Sequence, residues 1–149
     1  MISFREISLD NYMSTVAINP GKKNTKYVYP IWQAIIANNY EKNNDIIRSI
    51  YFNNNLIGFV SLLTHIEPIF IDLFVIEYTY QNQGYGTISL LFLLQFIKNK
   101  GFDKCFVSTA NPIALKTFIK CGFEKNISNK SKRFDEIYNE TLLEYNFTI

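Results

Sequence analysis

The segment Gln81-Asn82-Gln83-Gly84-Tyr85-Gly86-Thr87 sits between an apolar run, Ile69 to Ile76, and a longer one, Ile88 to Ile97. A strand-to-helix junction of this kind can bind an anion. The first N–H groups of a helix lack internal partners and carry partial positive charge, so a diphosphate can accept several backbone hydrogen bonds there. Gly84 and Gly86 remove side chains that would hold the anion away. The same glycines would also serve a plain tight turn. The segment lacks the G-K-[ST] of a triphosphate loop, and it is not the G-x-G-x-x-G of a dinucleotide fold.

A second constellation follows the next apolar run: Asn111-Pro112-Ile113-Ala114-Leu115-Lys116-Thr117-Phe118-Ile119-Lys120-Cys121-Gly122-Phe123. Its distance from the first is that expected if both segments shape one cleft. Together they resemble the GNAT superfamily of acetyl-CoA-dependent N-acetyltransferases, whose pattern is Q/R-x-x-G-x-G/A followed by N-x-x-A-x-x-x-Y-x-K-x-G-F. The likeness covers about residues 48 to 147, and the first 47 by general layout.

The resemblance implies an α/β GNAT fold, with a mixed sheet of about seven strands and about four flanking helices, splayed between strands 69–76 and 104–109. Acetyl-CoA is then the co-substrate and no metal is needed. The backbone at Phe74, Val75 and Ile76 would hold the pantetheine and thioester carbonyl. The amides of Gln81, Asn82, Gln83, Gly84, Tyr85, Gly86 and Thr87 would hold the pyrophosphate. Asn111 would contact the cofactor or brace the cleft, and Phe118 would lie beside the thioester.

Two departures from the family pattern matter. Phe118 replaces the tyrosine that many members use to protonate the leaving thiolate, so either the thiolate leaves without a dedicated acid or a neighbouring Tyr, Ser or water substitutes, with Tyr80, Tyr85 and Tyr145 as candidate donors. The phosphate loop lacks its usual Lys or Arg, and none occurs between Arg48 and Lys98, where the charged residues are Glu67, Asp72 and Glu77. Lys116 and Lys120 are then the candidates for charge near the nucleotide.

The acidic window points to a cationic acceptor. An aliphatic amine is protonated at neutral pH, so a carboxylate both attracts it and helps remove its proton. Asp72 is the first candidate base and Glu67 the second, with His65 close by. On a regular strand Asp72 shares a face with Phe70, Phe74 and Ile76, and a bulge would move it to the other face. The stretches RSIYFNNNLIGFVSL and FVIEYTYQNQGYG look most like the diamine and polyamine acetyltransferase branch, although Leu73 stands where that branch has Arg. The expected reaction is direct attack by a small primary amine. A protein or peptide acceptor, or a catalytically weak acyl-CoA-binding regulatory module, is the alternative.

These residues need a scaffold, and the hydrophobic periods supply one. Ile2 to Leu9 reads as an edge strand, and Asp10 caps a short helix through Ile18. Pro30 opens a helix carrying Ile31, Trp32, Ile35 and Ile36. Two strands flank Asn53-Asn54-Asn55 as a hairpin, with Gly58 marking a bulge or a close backbone approach. Strands follow at 69–76 and 104–109, each before a helix, the first from Gly84 to about Lys100 and the second from Asn111 to about Cys121. Phe123 to Ser128 and Tyr138 to Phe147 read as closing strands around a charged turn, NKSKRFDE.

With 149 residues, one domain spanning 1–149 is expected. The 15 basic and 13 acidic side chains give a charge of +2 with no basic run, which argues against a nucleic-acid partner. No apolar run approaches the ~20 residues of a membrane span, so a cytoplasmic monomer or homodimer is expected. Cys105 and Cys121 stand in apolar patterns, far from any zinc or disulfide spacing.

Overall fold

The computed structural model describes residues 1–41 and 44–148. Seven strands form one sheet: β1 (Ile2–Arg5), β2 (Ile46–Phe52), β3 (Asn55–Leu63), β4 (Ile69–Ile76), β5 (Lys104–Thr109), β6 (Glu124–Lys125) and β7 (Thr141–Asn146). Their order is β1-β2-β3-β4-β5-β7-β6. Every neighbouring pair is antiparallel except β4 and β5. Asn53, at φ 55°, makes the short turn from β2 to β3 in the left-handed conformation that asparagine tolerates.

The parallel step needs a crossover, which α3 (Tyr85–Asn99) supplies. Leu90, Leu93, Leu94 and Ile97 of α3 and Phe118 of α4 (Pro112–Lys120) cover one face of the sheet, against Ile57, Val60, Ile69, Ile71 and Ile76. Each such side chain contributes roughly 1.5–3 kcal/mol when fully buried. The other face carries Ile47, Phe59, Leu73 and Val75 under Ile18 and the residues Ile31 and Ala34 of α2 (Ile31–Glu41). The short α1 (Tyr12–Val16) lies on the same side, where the Thr15 hydroxyl meets that of Ser49 on β2 at 2.7 Å.

The expected charged turn is a helix, α5 (Asn129–Tyr138), which makes five helices rather than about four. The closing strands are correspondingly shorter, with β6 reduced to two residues and β7 starting at Thr141. The local signals for α5 are weak. Ser128 precedes it, and Asn139 ends it in the left-handed conformation, its N–H donating to the Asp135 carbonyl. Between them only Phe134, Ile137 and Tyr138 show helical spacing in a charged run.

Two bulges shape the sheet. Opposite Ser61 and Leu62 the register passes from Leu73 to Ile71, so Asp72 is the extra residue of β4. Opposite Ile50 and Tyr51 it passes from Gly58 to Leu56, which leaves Ile57 extra in β3. Gly58 also lies under β4, where a Cβ would stand 2.3 Å from the Val75 carbonyl oxygen. Both expectations for this glycine hold. Gly58→Ala is expected to cost roughly 3 kcal/mol, because the obstructing atom is backbone of the central strands and cannot rotate aside. Denaturant unfolding checks this.

Candidate active site

Strands β4 and β5 pair only from Ile69, Phe70 and Ile71 to Cys105, Phe106 and Val107. Beyond these the strands diverge, and the remainder of β5 pairs only with β7. The resulting wedge opens into a cavity of about 980 Å³. This is the expected splay.

The orientation of the β4 backbone follows from one hydrogen bond. Glu77 N–H donates to the Ile57 carbonyl at 2.8 Å, on the β3 side. Peptide groups alternate along a strand, so Val75 turns toward β3, while the N–H groups of Phe74 and Ile76 face the wedge. The Ile76 carbonyl faces the same way and is taken by Gln81 Nε2 at 2.8 Å. That leaves donors on the wedge wall.

At the wedge mouth, Asn82 has φ 62° and Gly84 has φ 89°. Gly84 caps α3 with no side chain to occupy its N–H groups. No side chain caps the first turn of α3, where Ile88 N–H bonds the Gly84 carbonyl. The first-turn donors of α3 therefore stand beside the cavity with no side-chain acceptor. Asn82, Gly84, Gly86 and Thr87 line the cavity. The side chains of Gln83 and Tyr85 do not: Gln83 Nε2 donates to the Thr79 carbonyl, and the Tyr85 ring packs edge-on against Phe52 and Tyr80.

Gln81 and Asn111 form a brace. Asn111 Nδ2 donates to Asn24 Oδ1 at 3.0 Å, and Asn24 Nδ2 donates to Gln81 Oε1 at 3.1 Å. Asn111 Oδ1 meanwhile caps α4 through Ile113 N–H. The chain of amides ties loop 19–28 across the wedge mouth. The same loop is fixed to the exit of β4, with Asn19 N–H donating to Glu77 Oε2 and Tyr78 N–H to the Asn19 carbonyl. It thereby places Lys22 and Lys23 on the cavity wall, whereas Lys116 and Lys120 do not line it.

The bulge decides the side on which Asp72 lies. Phe74 and Ile76 pack with the α3 cluster, and Leu73 and Val75 with the α2 cluster. Asp72 accepts a short hydrogen bond from the Tyr29 hydroxyl, on the α2 side. The regular-strand expectation, with Asp72 on the face of Phe74, is therefore corrected. Burial pushes the Asp72 carboxyl above the usual range, with the negative charge of Asp45 adding to the effect; hydrogen bonds from Tyr29 and Ser61 pull the other way. Burial and the neighbouring carboxylate likewise hold Tyr29 in its neutral form.

Glu67 is a second correction. It is exposed and lines a separate depression beside His65 and Pro68, outside the large cavity. His65 is engaged there with Asp45, Nδ1 to Oδ1 at 2.8 Å. The second carboxyl at the cavity is Glu140, just before β7, raised by burial and lowered by the Ser108 hydroxyl. It falls outside the acidic window of the sequence, and only the pairing of β7 with β5 brings it in.

Phe118 lines the cavity, buried edge-on against Phe123. Of the expected substitutes, Tyr80 and Tyr85 pack on each other and Tyr145 lies between Phe123 and Phe147. None lines the cavity. Tyr27, Tyr29, Tyr78 and Tyr138 do. Among the described residues, no group of three His, Cys, Asp or Glu side chains is placed to hold a metal ion.

A parallel strand pair that parts beside an uncapped helix start leaves a long cavity between the strands. The Acetyltransferase (GNAT) family matches residues 7–123. The chain belongs to this family and is an acetyl-CoA-dependent acetyltransferase. Solved structures agree in fold. A domain from Methanocaldococcus jannaschii is similar at a TM-score of 0.75 and 22% identity, over 99% of each chain. The PaiA N-acetyltransferase from Thermoplasma acidophilum, in complex with coenzyme A, is similar at a TM-score of 0.69 and 15% identity, also over 99% of each. The ribosomal-protein-S18-alanine N-acetyltransferase from Escherichia coli gives a TM-score of 0.70 at 12% identity, over 100% of this chain and 96% of that one. No protein of curated function matches the sequence. No helix among the described residues is long and apolar enough to cross a membrane.

Proposed function

We propose that this enzyme acetylates a small primary amine by direct attack within a ternary complex, with Asp72 as the general base. The reading rests on one observation above all: a half-buried carboxyl on a bulge of β4, inside the wedge cavity and oriented by Tyr29. A base of raised pKa works closer to neutral pH than an ordinary aspartate. The carboxyls of Asp72 and Glu140 on the cavity wall support a cationic acceptor.

Acetyl-CoA, when bound, supplies an activated thioester. The residues present suit it: the N–H groups of Phe74 and Ile76 would hold the arm and carbonyl, and first-turn donors between Asn82 and Thr87 would hold the diphosphate. Lys22 and Lys23 provide the charge that the phosphate loop lacks. Helix α5 walls the far end of the cavity with Phe134 and Tyr138, which suits a small molecule better than a peptide. The likeness to the diamine and polyamine branch rests on residues 48–62 and 74–86 alone.

Thiol release from acetyl-CoA, measured across small amines, amino acids and peptides, tests this reading. Turnover of peptides alone would overturn it. Exchanging both Lys22 and Lys23 for alanine is expected to weaken acetyl-CoA binding about tenfold at low salt and less at high salt, as screened charges should. Titration calorimetry at two ionic strengths checks this.

A further inference from the structure

Helix α5 turns one stripe toward the cavity: Lys130, Phe134 and Tyr138, spaced i, i+4 and i+8. Phe134 stacks on Phe70 of β4 at 5.8 Å between centroids and 18° between planes. Tyr138 stands 5.4 Å from Phe134 at 52°. Phe70 and Phe134 are half-buried and Tyr138 is exposed, so all three rings keep surface toward the cavity. Leu63 and Ile66 extend the same wall.

This end of the cavity suits a planar apolar body. Aromatic rings favour offset or edge-on partners, and an added ring would meet both arrangements here. Lys130, whose ammonium lies 5.2 Å from the centre of the Phe106 ring, is the cation of the stripe. A second ammonium on the acceptor would meet apolar walls and this like charge, with Glu140 the one carboxylate besides Asp72 on the cavity wall among the described residues. On β4, Phe70 and Asp72 are two residues apart on one face, a spacing of about 6–7 Å from two strand rises.

Resting on the amine-acetylation reading, we infer that the acceptor is a primary amine joined by two or three carbons to a flat apolar group. That group stacks on Phe70, Phe134 and Tyr138 while the nitrogen meets Asp72. The ammonium first gives one proton to water, the neutral nitrogen then forms the new amide bond as the thioester C–S bond breaks, the sulfur leaves as thiolate, and the second N–H proton passes to the Asp72 carboxylate.

The test has two arms, both on the full chain. In the first, titration calorimetry in the presence of CoA compares 2-phenylethylamine and 3-phenylpropylamine with butylamine, putrescine and spermidine. In the second, thiol release from acetyl-CoA is measured with the same five amines. The arylalkylamines are expected to bind about tenfold tighter than butylamine and to show at least that advantage in kcat/KM. Phe134→Ala should remove most of this discrimination and Phe134→Tyr should keep it, with circular dichroism confirming that α5 is retained. Putrescine or spermidine outperforming the arylalkylamines would overturn the inference and leave the acetylation reading intact. An unchanged preference in Phe134→Ala would also overturn it. Arylalkylamines that bind, lose affinity in Phe134→Ala and release no thiol would support the aromatic subsite and overturn the acetylation reading instead.

Discussion

Replacing Asp72 by asparagine is expected to lower kcat/KM by about 10²–10⁴-fold, the range that a positioned general base contributes. Asparagine has nearly the same shape and still accepts a hydrogen bond from Tyr29, so the fall would report lost proton transfer rather than lost structure. Acetyl-CoA affinity, which the proposed function assigns to the backbone of β4 and the first turn of α3, should stay the same. The pH dependence adds a second readout. The proposed role requires Asp72 to be ionised, and burial raises its pKa. Activity of the native enzyme should therefore fall on the acid side through that raised value, and the limb should be missing in Asp72→Asn. Tyr29→Phe removes a hydrogen bond that lowers the pKa, which should move the limb to higher pH.

Stability should change in the opposite direction to activity. The folded chain binds the Asp72 proton more tightly than the unfolded chain, so the stability linked to that proton is full below the unfolded value of about 3.9 and is lost as pH rises through the raised folded value. Asparagine never ionises. Asp72→Asn is thus expected to melt above the native enzyme at neutral pH, with the difference closing in acid. Thermal unfolding at several pH values decides it, and a variant that melts lower at neutral pH would mean that the carboxylate holds the fold together.

The second large effect concerns the first turn of α3. Gly84→Val is expected to weaken acetyl-CoA binding about 100-fold. At φ 89° a β-branched residue is strained, and relief of the strain would turn the neighbouring N–H groups away from a common centre. Each charge-assisted hydrogen bond lost costs roughly 1.5–3 kcal/mol, so two suffice for the predicted change. Gly84→Asn separates conformation from bulk. Asparagine tolerates the left-handed region, and a Cβ at 84 meets no protein atom within 4 Å, so this variant should lose about tenfold or less. Equal losses in both variants would show that bulk alone matters. Native affinity in Gly84→Val would reduce the loop to a turn. Calorimetry with acetyl-CoA reads both.

Much of the scaffold was legible because its signals are local. The loop from Gln81 to Thr87 is contiguous, its glycines stand between a strand pattern and a helix pattern, and the orphan donors follow from where the helix starts. Gly58 announced both a bulge and a close approach. Helix α5 was illegible for the converse reason: a charged run with three apolar residues buries little by itself, and its aromatic stripe gains meaning only against Phe70 on another element.

The chemistry depended on what lies far apart in sequence. A bulge belongs to the register between two strands, so residues of β4 alone could not say which face Asp72 takes. Its partner Tyr29 is 43 residues away. The count of charges by position made Glu67 a candidate, yet the fold puts it outside the cavity and brings in Glu140, Lys22 and Lys23. By itself the sequence determined most of the strands and helices and the glycine turn before α3, because strands, helix starts and turns follow local pattern. Only the tertiary structure decided which carboxyl, which cations and which rings share the cavity, because register and loop packing set those distances.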